Sequence, residues 1–151
     1  MFERYTELGR RVIFFARGEA GEFGSAEINT EHLLLGFLRA DKQLRRRLLA
    51  SLAEEFLRAE IKACNSLGAK VPREQDMPLS AEARHVLDYA AEEAERLRAK
   101  HIGSEHLLLG LLREKRSLAA DLLESHGLTL DAARACVAEL GEDLDKNGTA
   151  G

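Results

Sequence analysis

The sequence predicts an all-α fold made of two four-helix copies, and three observations carry that prediction. Ala, Leu, Glu and Arg dominate, all good helix formers, and only Pro72 and Pro78 interrupt them. Apolar residues recur at helical spacing through each long segment. Sliding the chain along itself by 74 residues matches residues 6–49 to 80–123 without a gap, with identity at 17 of 44 positions. Roughly three would be expected by chance at average residue frequencies. A period this long exceeds that of most solenoids, so two copies should make one compact pseudo-symmetric unit rather than an array.

The first helix of each copy is expected over about 4–20 and 80–99. Leu8, Val12, Phe15, Ala16 and Ala20 form its stripe in copy one, and Val86, Leu87, Ala90, Ala94 and Leu97 in copy two. Ser80 is a natural N-cap after Pro78. The second helices should start at Thr30 and Ser104, whose hydroxyls can satisfy first-turn N–H groups, with the following glutamate suited to the positive end of the dipole. Leucines at 33, 34, 35 and 38, and at 107, 108, 109, 111 and 112, make these helices nearly apolar and therefore central. Third helices follow at about 42–51 and 116–125, and fourth helices at about 54–66 and 129–140. Gly127 suits a left-handed turn between the last two helices of copy two. Copy one has Leu52-Ala53-Glu54 there, so its third and fourth helices are expected to run closer to continuous. Gly68 and both prolines mark residues 67–79 as the linker, and the polar end from Asp143 to Gly151 is expected to fray.

Bulk composition narrows the function classes. The chain has 151 residues, 45% hydrophobic and 32% charged, a balance that suits a soluble globular protein. A net charge of −4 gives no global reason to expect nucleic acid or an acidic membrane as partner. Arg45-Arg46-Arg47 has no aromatic neighbours to stack bases and reads as a solvated helix face. Cys64 and Cys136 stand far apart and fit a reducing cytosol as core thiols. No signal peptide or spanning apolar run is present, so a cytoplasmic location is expected.

Chemistry-bearing motifs are scarce. Gly-x-x-x-x-Gly-Lys-Ser/Thr, Gly-x-Gly-x-x-Gly and Gly-x-Ser-x-Gly do not occur. His32 and His106 each follow a glutamate directly, whereas a helical zinc site needs histidines one turn apart. Neither is expected to bind metal, and each should hydrogen-bond to a neighbouring loop. Glu31 and Glu105 are different. Dipole preference explains an acid after a cap, but not why Glu-His-Leu-Leu-Leu-Gly stands unchanged in both copies while the surroundings have diverged. Structural demand on a central helix and a binding role both remain open from the residues alone.

Three motifs together point to a family. The start Phe2-Glu3-Arg4-Tyr5-Thr6-Glu7, the stretch Ile28-Asn29-Thr30-Glu31-His32 through Gly36, and its second version from Ile102 to Glu114 resemble the N-terminal repeat domain of Clp unfoldases, the ClpC type most of all. The resemblance covers about residues 1–141: repeat one about 2–66, linker about 67–79, repeat two about 80–141, and a flexible tail at 142–151. It implies two four-helix repeats about a pseudo-twofold axis, the double Clp-N motif.

The resemblance also implies a non-catalytic role without cofactor or metal. The domain would dock client and adaptor proteins for an ATP-driven ring, and in the ClpC type it would read phosphoarginine in two pockets. Carried over by position, Glu31 and Glu105 would pair with guanidinium, Thr6 and Ser80 would offer hydroxyls, and Arg10 and Arg84 would face phosphate. A carboxylate accepts two guanidinium hydrogen bonds, and an arginine beside a hydroxyl and a helix N-terminus holds phosphate. Ser80 replaces the threonine usual in copy two, and these 151 residues hold no ATPase module of the kind that usually follows. The expected partners are clients, adaptors and a Clp ATPase ring, with no nucleic acid or membrane, and the chain should be a monomer. A stand-alone adaptor, decoy or regulator, an N-domain separated from a full unfoldase, and a bracing subunit of a ring are the alternatives that fit. An enzyme acting on phosphorylated protein would need a nucleophile or metal beside Glu31 or Glu105, and the sequence offers neither.

Overall fold

A computed structural model describes residues 2–65 and 68–146, and of 142–146 only that they are helical. Eight α-helices follow in order among the described residues: α1 Glu7–Glu22, α2 Thr30–Ala40, α3 Lys42–Leu48, α4 Glu54–Cys64, α5 Ala81–Arg96, α6 Ser104–Arg113, α7 Leu118–Ser125 and α8 Leu130–Lys146. α1 and α5 start where a hydroxyl caps them. Thr6 Oγ1 accepts from the Gly9 N–H at 3.0 Å, and Ser80 Oγ from the Ala83 N–H at 3.1 Å.

The core is built on α2 and α6, whose leucines at 33–35 and 107–109 are all buried. α1 lies against α2 along Val12 and Ala16, and α5 against α6 along Val86 and Ala90. The last residue of the repeated block explains how closely they approach. A Cβ on Gly36 would stand 2.3 Å from the Val12 carbonyl oxygen, and one on Gly110 would stand 2.4 Å from that of Val86. Only glycine lets these backbones meet.

The pseudo-twofold relation is visible in the main chain. Ile102 donates to the Arg4 carbonyl and accepts from Thr6 N–H, both at 2.9 Å. Ile28 donates to the Pro78 carbonyl at 2.9 Å and accepts from Ser80 N–H at 3.0 Å. Adding 74 to the residues of one copy and subtracting it from those of the other turns each pair of bonds into its counterpart. The short bridges Tyr5–Ile102 and Ile28–Leu79 therefore clasp the two copies together from both sides.

A buried carboxylate ties each copy internally. Glu19 meets Arg58 through two bonds of 2.7 and 2.9 Å and Arg39 at 3.2 Å, joining α1, α4 and α2. Glu93 meets Arg134 at 2.9 and 2.8 Å and Arg113 at 3.2 Å, joining α5, α8 and α6. Burial pushes both carboxyls up, but the guanidinium bonds outweigh it and hold them below the usual glutamate value.

Several expectations are corrected. The chain breaks between α3 and α4: a turn from Leu49 to Leu52 (N–H to O 3.0 Å) buries both leucines, and their burial stands in for the absent glycine. Copy two does use Gly127, at φ +91°. Leu8 and Leu97 lie at the ends of their stripes and are exposed. α4 buries Leu57 and Ile61, and Cys64, past the end of that stripe, is exposed rather than a core thiol. α8 continues to Lys146, past the expected end near 140, because neither Gly141 nor the polar residues after it stop a helix already under way. Of the expected fraying segment, 147–151 lies outside the described residues. The linker is pinned by Val71 N–H to the Gly21 carbonyl at 2.9 Å. No helix among the described residues is long and apolar enough to cross a membrane.

Candidate functional site

The hydroxyls expected to cap α2 and α6 do something else. Helix α2 is capped at Asn29 and α6 at Gly103, so Thr30 and Ser104 sit one position inside. From there their side chains cross to the other copy. Ser104 Oγ donates to Asp41 Oδ2 at 2.6 Å, and Asp41 Oδ1 in turn accepts from Leu44 N–H at the start of α3. Thr30 Oγ1 accepts from Ala119 N–H, at 3.4 Å, at the start of α7. The residue types suited a cap; only the tertiary fold shows that they serve a different helix.

His32 and His106 do their own helices' capping. Each Nδ1 accepts from the backbone N–H at the helix start, Asn29 or Gly103, at 2.9 Å. A ring nitrogen that accepts is unprotonated, and burial lowers both imidazoles to about 4. They are neutral structural groups, and no cluster of metal-binding side chains exists among the described residues.

Every residue of the repeated block except the glutamate now has a structural reason. Histidine caps, three leucines fill the core and glycine admits the neighbouring helix. Glu31 and Glu105 belong neither to the cap nor to the apolar core. Burial raises both carboxyls above the usual value, Glu82 adding to it for Glu31 and Asp41 for Glu105. Their own first-turn N–H groups pull the other way. A carboxylate in that position costs stability and is relieved by a cation.

Backbone pairing brings two of the other expected residues, Thr6 and Ser80, towards them across the copies. Thr6 N–H bonds to Ile102, two residues before Ser104, so the start of α1 lies beside the start of α6 and Glu105. Ser80 N–H bonds to Ile28, so the start of α5 lies beside the start of α2 and Glu31. Each place therefore joins two positive helix ends, one carboxylate and one hydroxyl whose hydrogen is free of the cap bond. The arginines are less fixed. Arg10 turns to the Phe2 carbonyl at 3.2 Å, and Arg84 lies exposed one turn after Ser80.

The two places differ in their carboxylates. Glu31 is buried, and its Oε2 accepts from Asn65 Nδ2 at 3.0 Å, at the end of α4. The Glu105 side chain is 34% exposed and folds back over Gly103, where a Cβ would stand 1.7 Å from its Oε1. Asn65, Asp41 and Gly103 carried no signal in the sequence. Glu19 and Glu93 match between the copies, but their arginine partners come from other helices: α2 and α4 for Glu19, α6 and α8 for Glu93.

The sequence profile of the Clp repeat (R) N-terminal domain matches residues 4–126 and again residues 78–149. The chain is 33% identical over 142 residues to "Negative regulator of genetic competence ClpC/MecB" of Bacillus subtilis, covering 93% of this chain and 17% of that protein. It is 33% identical over 140 residues to the chaperone protein ClpB of Oceanobacillus iheyensis, with the same coverage. The chain thus spans about a sixth of the length of these relatives. Among solved structures, the N-terminal domain of the chaperone ClpD from Arabidopsis thaliana superposes with a TM-score of 0.74 at 25% identity, covering 94% of this chain and 96% of that one.

Proposed function

This chain belongs to the Clp repeat N-terminal domain family, and from that premise we propose that it is a non-catalytic module that docks client and adaptor proteins for a Clp unfoldase through two phosphoarginine pockets. The unit that does so is the two repeats together, α1 to α8, with the first pocket formed by Glu31, Ser80 and Arg84 and the second by Glu105, Thr6 and Arg10. One observation carries the reading: the glutamate is the member of the doubled block that belongs neither to the cap nor to the apolar core, yet it is held partly desolvated where two helices begin.

The chemistry fits a ligand carrying both charges. The guanidinium of a phosphoarginine would satisfy the carboxylate with paired N–H bonds. Its phosphate would meet the hydroxyl hydrogen of Thr6 or Ser80 and the positive ends of two helices, with Arg10 or Arg84 supplying further charge. Free arginine lacks the anion and phosphoserine lacks the cation, so each should bind far more weakly.

Calorimetric titration with free phosphoarginine tests this directly. Heat of binding that disappears in Glu31→Gln/Glu105→Gln is the expected result. No heat at millimolar ligand sinks the phosphoarginine reading and leaves a docking module whose partners must be found by capture.

A further inference from the structure

We infer that the two pockets are not equivalent: the Asn65 side-chain amide occupies the Glu31 carboxylate as a stand-in for a guanidinium, leaving the Glu105 pocket as the one that takes ligand in the resting chain. The inference rests on the phosphoarginine reading and assigns its stoichiometry and the residue that sets it.

Three features of the geometry support it. Asn65 donates N–H to Glu31 Oε2 at 3.0 Å, the same donor type and bond that a guanidinium would bring, and the same amide nitrogen is anchored on the Ile61 carbonyl at 2.9 Å. The amide is thus held in place by the last turn of α4, not swinging freely. Second, the helical positions of α4 and α8 correspond with a shift of 76, as the buried pairs Leu57/Ala133 and Ile61/Val137 show. That shift aligns Asn65 with Gly141, which has no side chain to offer Glu105.

The third feature lies at the helix starts. Position 103 is glycine, and the Glu105 carboxylate lies in the space a Cβ would fill. Position 29 is asparagine, which has a Cβ in the corresponding place, and there the Glu31 carboxylate meets Asn65. Exposure follows: Glu31 is buried, whereas Glu105 is partly exposed. A ligand at Glu105 meets a carboxylate held by the backbone N–H groups of Glu105 and His106. A ligand at Glu31 must first displace a hydrogen bond already made.

Titration of four proteins with phosphoarginine decides the matter: wild type, Asn65→Ala, Glu105→Gln and Asn65→Ala/Glu105→Gln. One site per chain in the wild type is expected, weakened at least tenfold by Glu105→Gln. Asn65→Ala should show two sites, and the double variant one. Asn65→Gly, which copies the residue aligned in repeat two, serves as a second variant, and thermal melts confirm that each protein is folded. Two sites in the wild type, an unchanged count in both folded Asn65 variants, or a wild-type site indifferent to Glu105→Gln would each overturn this inference and leave the phosphoarginine reading standing. Heat absent from all four proteins overturns the reading itself, and this inference with it.

Discussion

Ser104 donates its hydroxyl to Asp41, 2.6 Å away, and thereby fastens the start of α6 in one repeat to the start of α3 in the other. Asp41 is buried and also caps α3, so removing the hydroxyl strands a carboxylate oxygen with little water to replace it. Ser104→Ala should lower stability by about 1–3 kcal/mol. Thr30→Ala, which loses a bond of 3.4 Å, should cost less. Urea denaturation of the two variants gives the order, and the reverse order would mean that the mirrored contact is the stronger.

The glycine of the repeated block should resist the substitution that helix propensity favours. Alanine in place of glycine inside an exposed helix stabilises by about 1 kcal/mol. Gly36→Ala and Gly110→Ala instead drive a methyl into the Val12 and Val86 carbonyls, and overpacking of this kind typically costs about 1–3 kcal/mol. A melting temperature at or above wild type for either variant would show that α1 and α5 can shift to make room.

The arginine clusters should behave as one partner holding several. Glu93→Ala leaves Arg134 and Arg113 facing an emptied, buried position, and breaking such a pair costs about 3–5 kcal/mol. Arg96→Ala removes a contact of 3.4 Å from a side chain that is 58% exposed, and should cost less than about 1 kcal/mol. Chemical denaturation of both variants checks the asymmetry. Equal losses would mean that the carboxylate is not the organising group.

Stability should fall as pH drops through the histidine range. His32 and His106 titrate at about 4 when folded and near 6.5 when unfolded, so between those values the unfolded chain binds more protons. Stability is therefore full above about pH 7 and declines towards pH 4, by about 2 kcal/mol per histidine at pH 5. Glu19 and Glu93, held low by their arginines, add losses in the same direction below the usual glutamate value. Glu31 and Glu105, raised by burial, act oppositely: their destabilisation grows as pH rises through their folded values. Urea midpoints at pH 5 and 7.5 give the net slope. His32→Gln/His106→Gln should flatten it, and an unaltered slope would show that other groups produce it.

The parts of this protein that could be read without coordinates are those set by neighbours along the chain. The stripe Val12, Ala16, Ala20, the cap at Ser80 and the turn at Gly127 each follow from residues within a turn or two, and the structure has them. The duplication made the two-copy architecture legible as well. What the local pattern could not show is which helix starts of the two copies come together. Thr6 and Glu105 are 99 positions apart, and nothing in either stretch says that Ile102 will take the Thr6 N–H. For the same reason Thr30 and Ser104 looked like caps for their own helices, and Asn65 looked like the end of α4 and nothing more. Side chains that act across the copies are invisible to periodicity.

The reciprocal clasp of Tyr5 on Ile102 and Leu79 on Ile28 bears on how such a molecule arose. In the proposed reading neither repeat holds a whole pocket: each contributes the carboxylate of one and the hydroxyl of the other. A single ancestral repeat would have had a complete site only as a symmetric pair of identical chains, with both sites bound to change together. Fusion into one polypeptide released them from that identity, so a residue such as Asn65 could arise on one side with Gly141 on the other. Separate chains ending before and beginning after the linker should accordingly fold only when mixed, each half recovering the ancestral state by finding its partner.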